Sequence, residues 1–336
     1  MSRSSTWSRR HECEFAAVGR QGGLSPRIVL LVTSPRLPAG LLTAPAWDLV
    51  RAHPVLAAAD HEQTAALRAG GATVSTVEPT ADGVLAELDR HGTVVWLAGP
   101  AGDEDLARDL GLRIARDPGR AELELLYGSW DPPGARLLDA VTVMDRLMAR
   151  EGGDAWKRSQ THDSLAPYLL EEAYEAFDAI KAGDLDALRE ELGDVLLQVV
   201  LHARLGEETA GFSIDDVAGD LVAKLIRRNP HVFAGTTVGG IDDILDNWEA
   251  IKKAEKARSS TMDGVALSQP ALALAAKVLQ RVARAGLDAP LPAGDDLGSV
   301  LLRLVAEASA ADVDAEAALR EVVLAYMARV RAAERG

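Results

Sequence analysis

Cysteine is nearly absent from this 336-residue chain, where Cys13 stands alone. A single thiol forms no internal disulfide and builds no cysteine-based zinc site, which fits a reducing compartment. Long apolar runs are missing too: nothing approaches the ~18 consecutive residues that a membrane span requires. Arg3, Arg9 and Arg10 are not followed by the apolar core of a signal peptide. Residues 1–25 instead read as a flexible polar leader, and the chain as cytoplasmic. Positive charge is in deficit, with 36 Lys and Arg against 51 Asp and Glu and a net charge of −15. A nucleic-acid partner needs a basic footprint that this balance does not supply. Lysine is the scarcest cation: seven lysines stand against 29 arginines, all between Lys157 and Lys277. Either the chain simply favours arginine, or its central segment needs compact ammonium charges for a ligand.

What is present is apolar material, 48% of the residues, enough to exclude disorder throughout and to build about two domains. Residues 26–130 read as a small α/β domain. Ile28–Val32 and Val94–Ala98 are short apolar runs of the buried-strand type, each followed by turn residues. The Ala/Leu-rich stretches 44–69 and 103–110 read as helices. Gly99-Pro100-Ala101-Gly102-Asp103 reads either as a ligand loop or as an ordinary turn after a strand. Trp130-Asp131-Pro132-Pro133-Gly134 then stops both kinds of element. Beyond it the periodicity predicts only helices: 135–149, 164–181, 185–207, 214–228, 241–257, 270–285, 295–308 and 312–334.

Chemistry concentrates on two adjacent predicted helices. The first carries Glu171-Glu172-Ala173-Tyr174-Glu175 and the second Glu190-Glu191-Leu192-Gly193-Asp194. Glu172 and Glu175 are three residues apart, as are Glu191 and Asp194, so each pair shares a helix face. Ala182-Gly183-Asp184 between them makes a tight break, with Asp184 placed to cap the second helix. Glu175 and Glu191 each lie 8 residues from Gly183, and Glu172 and Asp194 each lie 11. At ~1.5 Å per residue the two cross-hairpin pairs sit at matching heights, so four carboxylates converge if both faces point inward. The alternative is a solvated acidic face. Apolar neighbours Leu169, Leu170, Leu192, Val195 and Leu196 make that face expensive to leave unneutralised, and a divalent cation removes the repulsion. With oxygen donors only, the preference is Mg²⁺, with Mn²⁺ as substitute, over Zn²⁺. A ferritin-like di-iron site is disfavoured because neither helix carries Glu-x-x-His.

This Glu-Glu-x-x-Glu … Glu-x-x-Asp pattern resembles the metal signature of the all-α nucleoside triphosphate pyrophosphohydrolases. Further segments resemble the MazG proteins among them: Trp156–His162, Pro167–Glu172, Glu191–Val199, Lys224–Phe233 and Trp248–Lys252. The resemblance covers residues 137–290. It departs at Asp154-Ala155-Trp156-Lys157, where the family usually has Cys-Pro-Trp-Asp. It implies a mainly α fold, an all-α helical bundle completed by dimerisation, with the α/β domain preceding it. The catalytic MazG domain would span residues 135–260. Glu172, Glu175, Glu191 and Asp194 would be Mg²⁺ ligands, and Glu171 would orient or deprotonate the attacking water. Lys224, Arg227 and Arg228 would meet the triphosphate, with Trp248 and Lys252 serving base and phosphate. The bland alternatives are a core Trp248 and a solvated Lys224. The implied reaction is hydrolysis of a nucleoside triphosphate between the α- and β-phosphates, a housecleaning role, in a homodimer or higher homo-oligomer.

A faint repeat follows: Asp295–Leu302 aligns with Glu190–Leu197 at a constant offset of 105 residues, with Ser299 where Asp194 stands. Residues 265–336 thus read as a helical remnant of a second MazG copy that holds no metal. Its apolar positions, Leu297, Val300, Leu301, Leu304 and Val305, then Leu319, Val322, Val323 and Tyr326, recur at helical spacing and are expected to pack on the active bundle or its dimer partner. The 26–130 region has a weaker similarity to the methylase-like domain fused to some MazG proteins. A different class of function also remains open, a nucleotide-binding or partner-binding regulatory protein with little turnover.

Overall fold

The computed structural model describes residues 25–100, 102–235, 239–241, 243–244, 247–248, 251 and 260–335. Residues 1–24 of the expected leader, and most of the helix expected at 241–257, lie outside the described residues. The chain divides into two compact units between Ile214 and Asp215.

The first unit begins with five parallel strands, β1 (Arg27–Val32), β2 (Val55–Ala57), β3 (Val74–Thr76), β4 (Thr93–Leu97) and β5 (Glu122–Tyr127), in the order β3-β2-β4-β1-β5. Four helices alternate with them: α1 (Ala44–Ala52), α2 (Glu62–Ala69), α3 (Ala81–His91) and α4 (Glu104–Arg116). A parallel sheet covered on both faces needs continuous apolar strands, which is why β1 and β4 are legible as runs. Their residues alternate between two cores. Ile28, Leu30, Val94 and Trp96 pack with α3 and α4, while Val29, Leu31, Val95 and Leu97 pack with α1 and α2. The stretch 44–69 is not one helix. Pro54 forces His53 into an extended conformation (φ −132°, ψ 151°), and the chain leaves α1 to form β2, with the Pro54 carbonyl accepting from Val95 N.

Beyond the proline boundary come α5 (Arg136–Met148), the short α6 (Ala155–Arg158), α7 (His162–Ala182) and α8 (Leu185–Thr209). Met144 and Met148 of α5, Leu165 of α7, and Val200, Leu201 and Leu205 of α8 form their common core. α7 starts two residues earlier than the periodicity suggests because Thr161 and Ser164 form a reciprocal capping box. α6 occupies the stretch that departs from the family wording. Asp154 caps it, and Trp156 stands edge-on to Tyr168 of α7 at 6.1 Å.

The second unit contains α9 (Ile214–Arg228), the short α10 (Pro230–Phe233) and helices Ala271–Arg284, Leu297–Ala310 and Ala315–Ala333. Within a single copy of the chain most of these apolar positions are left uncovered. Of the apolar positions named for the last two helices only Val305 is buried, at 1% exposure, while Leu297, Leu301, Leu304, Leu319, Val322, Val323 and Tyr326 are all exposed. Helical spacing marks a common face but not what covers it. Asp296, which matches Glu191 in the repeat, caps its helix: its carboxylate accepts from Ser299 N at 3.0 Å and Ser299 Oγ at 2.6 Å. In unfolding measurements Val305→Ala should therefore cost ~2 kcal/mol. Leu301→Ala, at an exposed position, should cost under ~1 kcal/mol.

Candidate metal centre

The site is built on the α7–α8 hairpin. Gly183 ends α7 in the left-handed conformation (φ 69°, ψ 18°), and Gly183 N and Asp184 N donate to the carbonyls of Ile180 (3.2 Å) and Ala179 (3.1 Å). This closes the helix end as a Schellman motif, which favours glycine for its positive φ. Asp184 then caps α8, its carboxylate accepting from the N–H groups of Asp186 and Ala187 at 3.1 and 3.0 Å. With the turn fixed and one helix face packed on α5, the heights of the acids follow from the helical rise.

Glu172, Glu175 and Glu191 each offer a carboxylate oxygen within 4.8 Å of the others'. Asp194 belongs to the same electrostatic cluster: it is the strongest charged neighbour of Glu172, as Glu175 is of Glu191. These are the two cross-hairpin pairs that the residue counts place at equal heights. Glu171 is exposed and adds a smaller repulsion on Glu172. Desolvation is the largest effect on both Glu172 and Glu191 and pushes their carboxyls above the usual range, with neighbouring carboxylates adding to it. A cluster in which two carboxyls are held above their usual range, and which offers only oxygens, suits a hard divalent cation.

Three polar residues on α7 and α8 were given no role from the sequence. Gln198, one turn beyond Asp194, is 4% exposed. Its hydrogen bond to Glu172 favours that carboxylate's charged form, while its Oε1 has no partner among the described residues. One turn further, His202 stacks on His162 with their Nδ1 atoms 2.8 Å apart, and its buried Nε2 has no partner among the described residues. The available signal was Gln198 itself, the one polar residue in Val195-Leu196-Leu197-Gln198-Val199-Val200-Leu201. A polar group inside an apolar helical run demands a partner.

Of the candidate substrate residues, Lys224, Arg227 and Arg228 lie in the last turns of α9. The Arg228 guanidinium sits 5.3 Å over the Trp248 ring, a cation–π pairing that the helical spacing of Trp248 and Lys252 did not suggest. Lys252 lies outside the described residues.

Residues 160–233 match a family model described as the MazG nucleotide pyrophosphohydrolase domain. The chain is 45% identical over 252 residues to a nucleoside triphosphate pyrophosphohydrolase of Mycobacterium tuberculosis, covering 72% of this chain and 74% of that one. It is 52% identical over 207 residues to the protein of the same name from Mycolicibacterium smegmatis, covering 60% of each. With the nucleoside triphosphate pyrophosphohydrolase/pyrophosphatase MazG of Thermotoga maritima it shares 36% identity over 220 residues, covering 58% of this chain and 84% of that one.

The raised carboxyls have a consequence for stability. Glu172 and Glu191 keep protons at pH values where the unfolded chain has released them, so this contribution is present below the usual carboxylate range. It is lost as pH rises through the raised folded values. As pH rises through the raised carboxyl values, the melting temperature of metal-free Glu191→Gln should gain on that of the metal-free wild type.

Proposed function

The chain belongs to the MazG family of nucleoside triphosphate pyrophosphohydrolases, and from that premise we propose that it cleaves its substrates between the α- and β-phosphates with Mg²⁺. The observation that carries this reading is the convergence of Glu172, Glu175 and Glu191, with Asp194 coupled to them electrostatically. These four carboxylates would hold the ion, with Mn²⁺ as a substitute. When bound, the ion supplies neutralising charge and a more acidic water.

The chain's own groups do the rest. A water oxygen forms a bond to the α-phosphorus while the bond from that phosphorus to the α,β-bridging oxygen breaks. Nucleoside monophosphate and pyrophosphate leave. Glu171, exposed beside Glu172, orients the water and takes its proton. Lys224, Arg227 and Arg228 on α9 offer cations to the phosphates, Lys252 offers another, and Trp248 offers a ring to the base. Gln198 steadies Glu172 from below. Removal of surplus or non-canonical nucleotides in the cytoplasm is the role such chemistry serves.

We also propose a homodimer built on the hairpin. Leu169, Leu170, Leu192 and Leu197 lie exposed beside the acids, and a second copy of the same surface would cover them.

The decisive experiment measures pyrophosphate release from deoxynucleoside triphosphates. Release should require Mg²⁺ and stop with EDTA. Glu175→Ala and Asp194→Ala should each leave less than about a tenth of wild-type kcat, a loss of at least ~1.4 kcal/mol in transition-state stabilisation, without lowering the metal-free melting temperature. A variant that kept most of its activity would remove these acids from the catalytic centre. Nucleotide binding without turnover would favour the regulatory reading instead.

A further inference from the structure

A cavity of about 730 Å³ opens at the carboxyl ends of β1, β4 and β5, and the proposed reaction makes no use of it. Its place follows from the topology. β1 and β4 are neighbours, yet α1 after β1 packs on one face of the sheet and α4 after β4 on the other. The chain reverses direction there, and parallel sheets bind ligands in the crevice that such a reversal leaves open. The volume lies within the range of small-molecule sites, roughly 300–1,000 Å³.

The floor is apolar and only partly covered. Leu30, Trp96 and Leu106 are buried beneath it, but on the edge strand β5 Leu125 and Tyr127 are each 53% exposed, and Trp130 at the rim is 63% exposed. Leu125 pairs in register with Leu30 and Tyr127 with Val32, so the bare side chains share the sheet face that α4 covers farther along. Two aromatic rings and an apolar floor invite a planar body.

The charges select its sign. A glycine turn leading from a strand into a helix N-terminus ordinarily welcomes phosphate. Here the Asp103 carboxylate turns back to accept from Trp96 Nε1 at 2.8 Å and Gly99 N at 3.0 Å, and Glu104 and Asp105 follow in the first turn of α4. The cations on the wall are already matched. Arg36 pairs with both Asp131 and Asp139, and Arg136 reaches Asp139 at 3.1 Å. Among the described residues Glu104 has no ion-pair partner, so the cavity carries uncompensated negative charge.

We propose that this cavity binds a small organic cation with a planar aromatic body, its ring against Tyr127 and Trp130 and its cationic group at Glu104. Ring faces and a free carboxylate together recognise such a molecule. The same charges repel phosphates, so the triphosphate substrate is not its ligand.

Three indoles that differ only in charge test this on the full chain by titration calorimetry: tryptamine (cation), tryptophol (neutral) and indole-3-acetate (anion). Tryptamine should bind saturably, tryptophol at least about fivefold more weakly, and indole-3-acetate not at all up to about 10 mM. Glu104→Gln should bring tryptamine to the level of tryptophol. Trp130→Ala should weaken tryptamine by more than about fivefold. Both variants should hydrolyse triphosphates within about twofold of wild type, since neither residue belongs to the proposed catalytic centre. Indole-3-acetate binding as tightly as tryptamine would overturn the assignment. So would an ineffective Glu104→Gln change, or no saturable tryptamine binding up to about 10 mM.

Discussion

Mutual repulsion among carboxylates is the constraint around which the α7–α8 hairpin is arranged. Glu172, Glu175 and Glu191 bring oxygens within 4.8 Å of one another, and left to themselves such groups would move apart into water. Two rigid features prevent this: the Gly183–Asp184 turn, closed by backbone and side-chain hydrogen bonds, and the apolar packing of α5, α7 and α8. The scaffold thus holds charges in an unfavourable arrangement that ligand binding relieves. A divalent cation binding there would contribute to stability as well as to chemistry.

Much of this was legible because helical spacing is rigid. Counting residues from Gly183 was enough to pair Glu175 with Glu191 and Glu172 with Asp194, since a tight turn leaves the two helices little freedom to slip. The α/β region was less legible for an equally physical reason. β1 and β4 are central and apolar on both faces, whereas β2 and β3 are three residues each and β5 alternates with glutamates, so none of those three presents a run. Pro54 was the missed clue within 44–69. Tertiary partners were beyond reach: nothing in the spacing of α9 told that Arg228 would stand over Trp248, or that Gln198 would turn toward Glu172.

The acidic balance of the chain takes on a different meaning once the elements are placed. A protein of net charge −15 that acts on polyanions gains no general electrostatic steering toward them, so attraction must be local. It would come from the cation in the carboxylate box and from basic groups such as those closing α9. The cavity beside β5 shows the opposite use of similar carboxylates, without crowding and with aromatic rings, where they would attract cations and exclude the substrate. Asp296 shows a third, because at the start of a helix it accepts hydrogen bonds from Ser299 and serves as a cap.

The most direct test of the central claim is a calorimetric titration of the metal-free protein with Mg²⁺ at about pH 5.5, in buffers of different ionisation enthalpy. If the crowded carboxyls hold protons that a metal must displace, Mg²⁺ should bind saturably and release protons, and Glu191→Gln should diminish both. An isotherm that does not saturate, or one left unchanged by Glu191→Gln, would show that the converging acids are not where the cation binds.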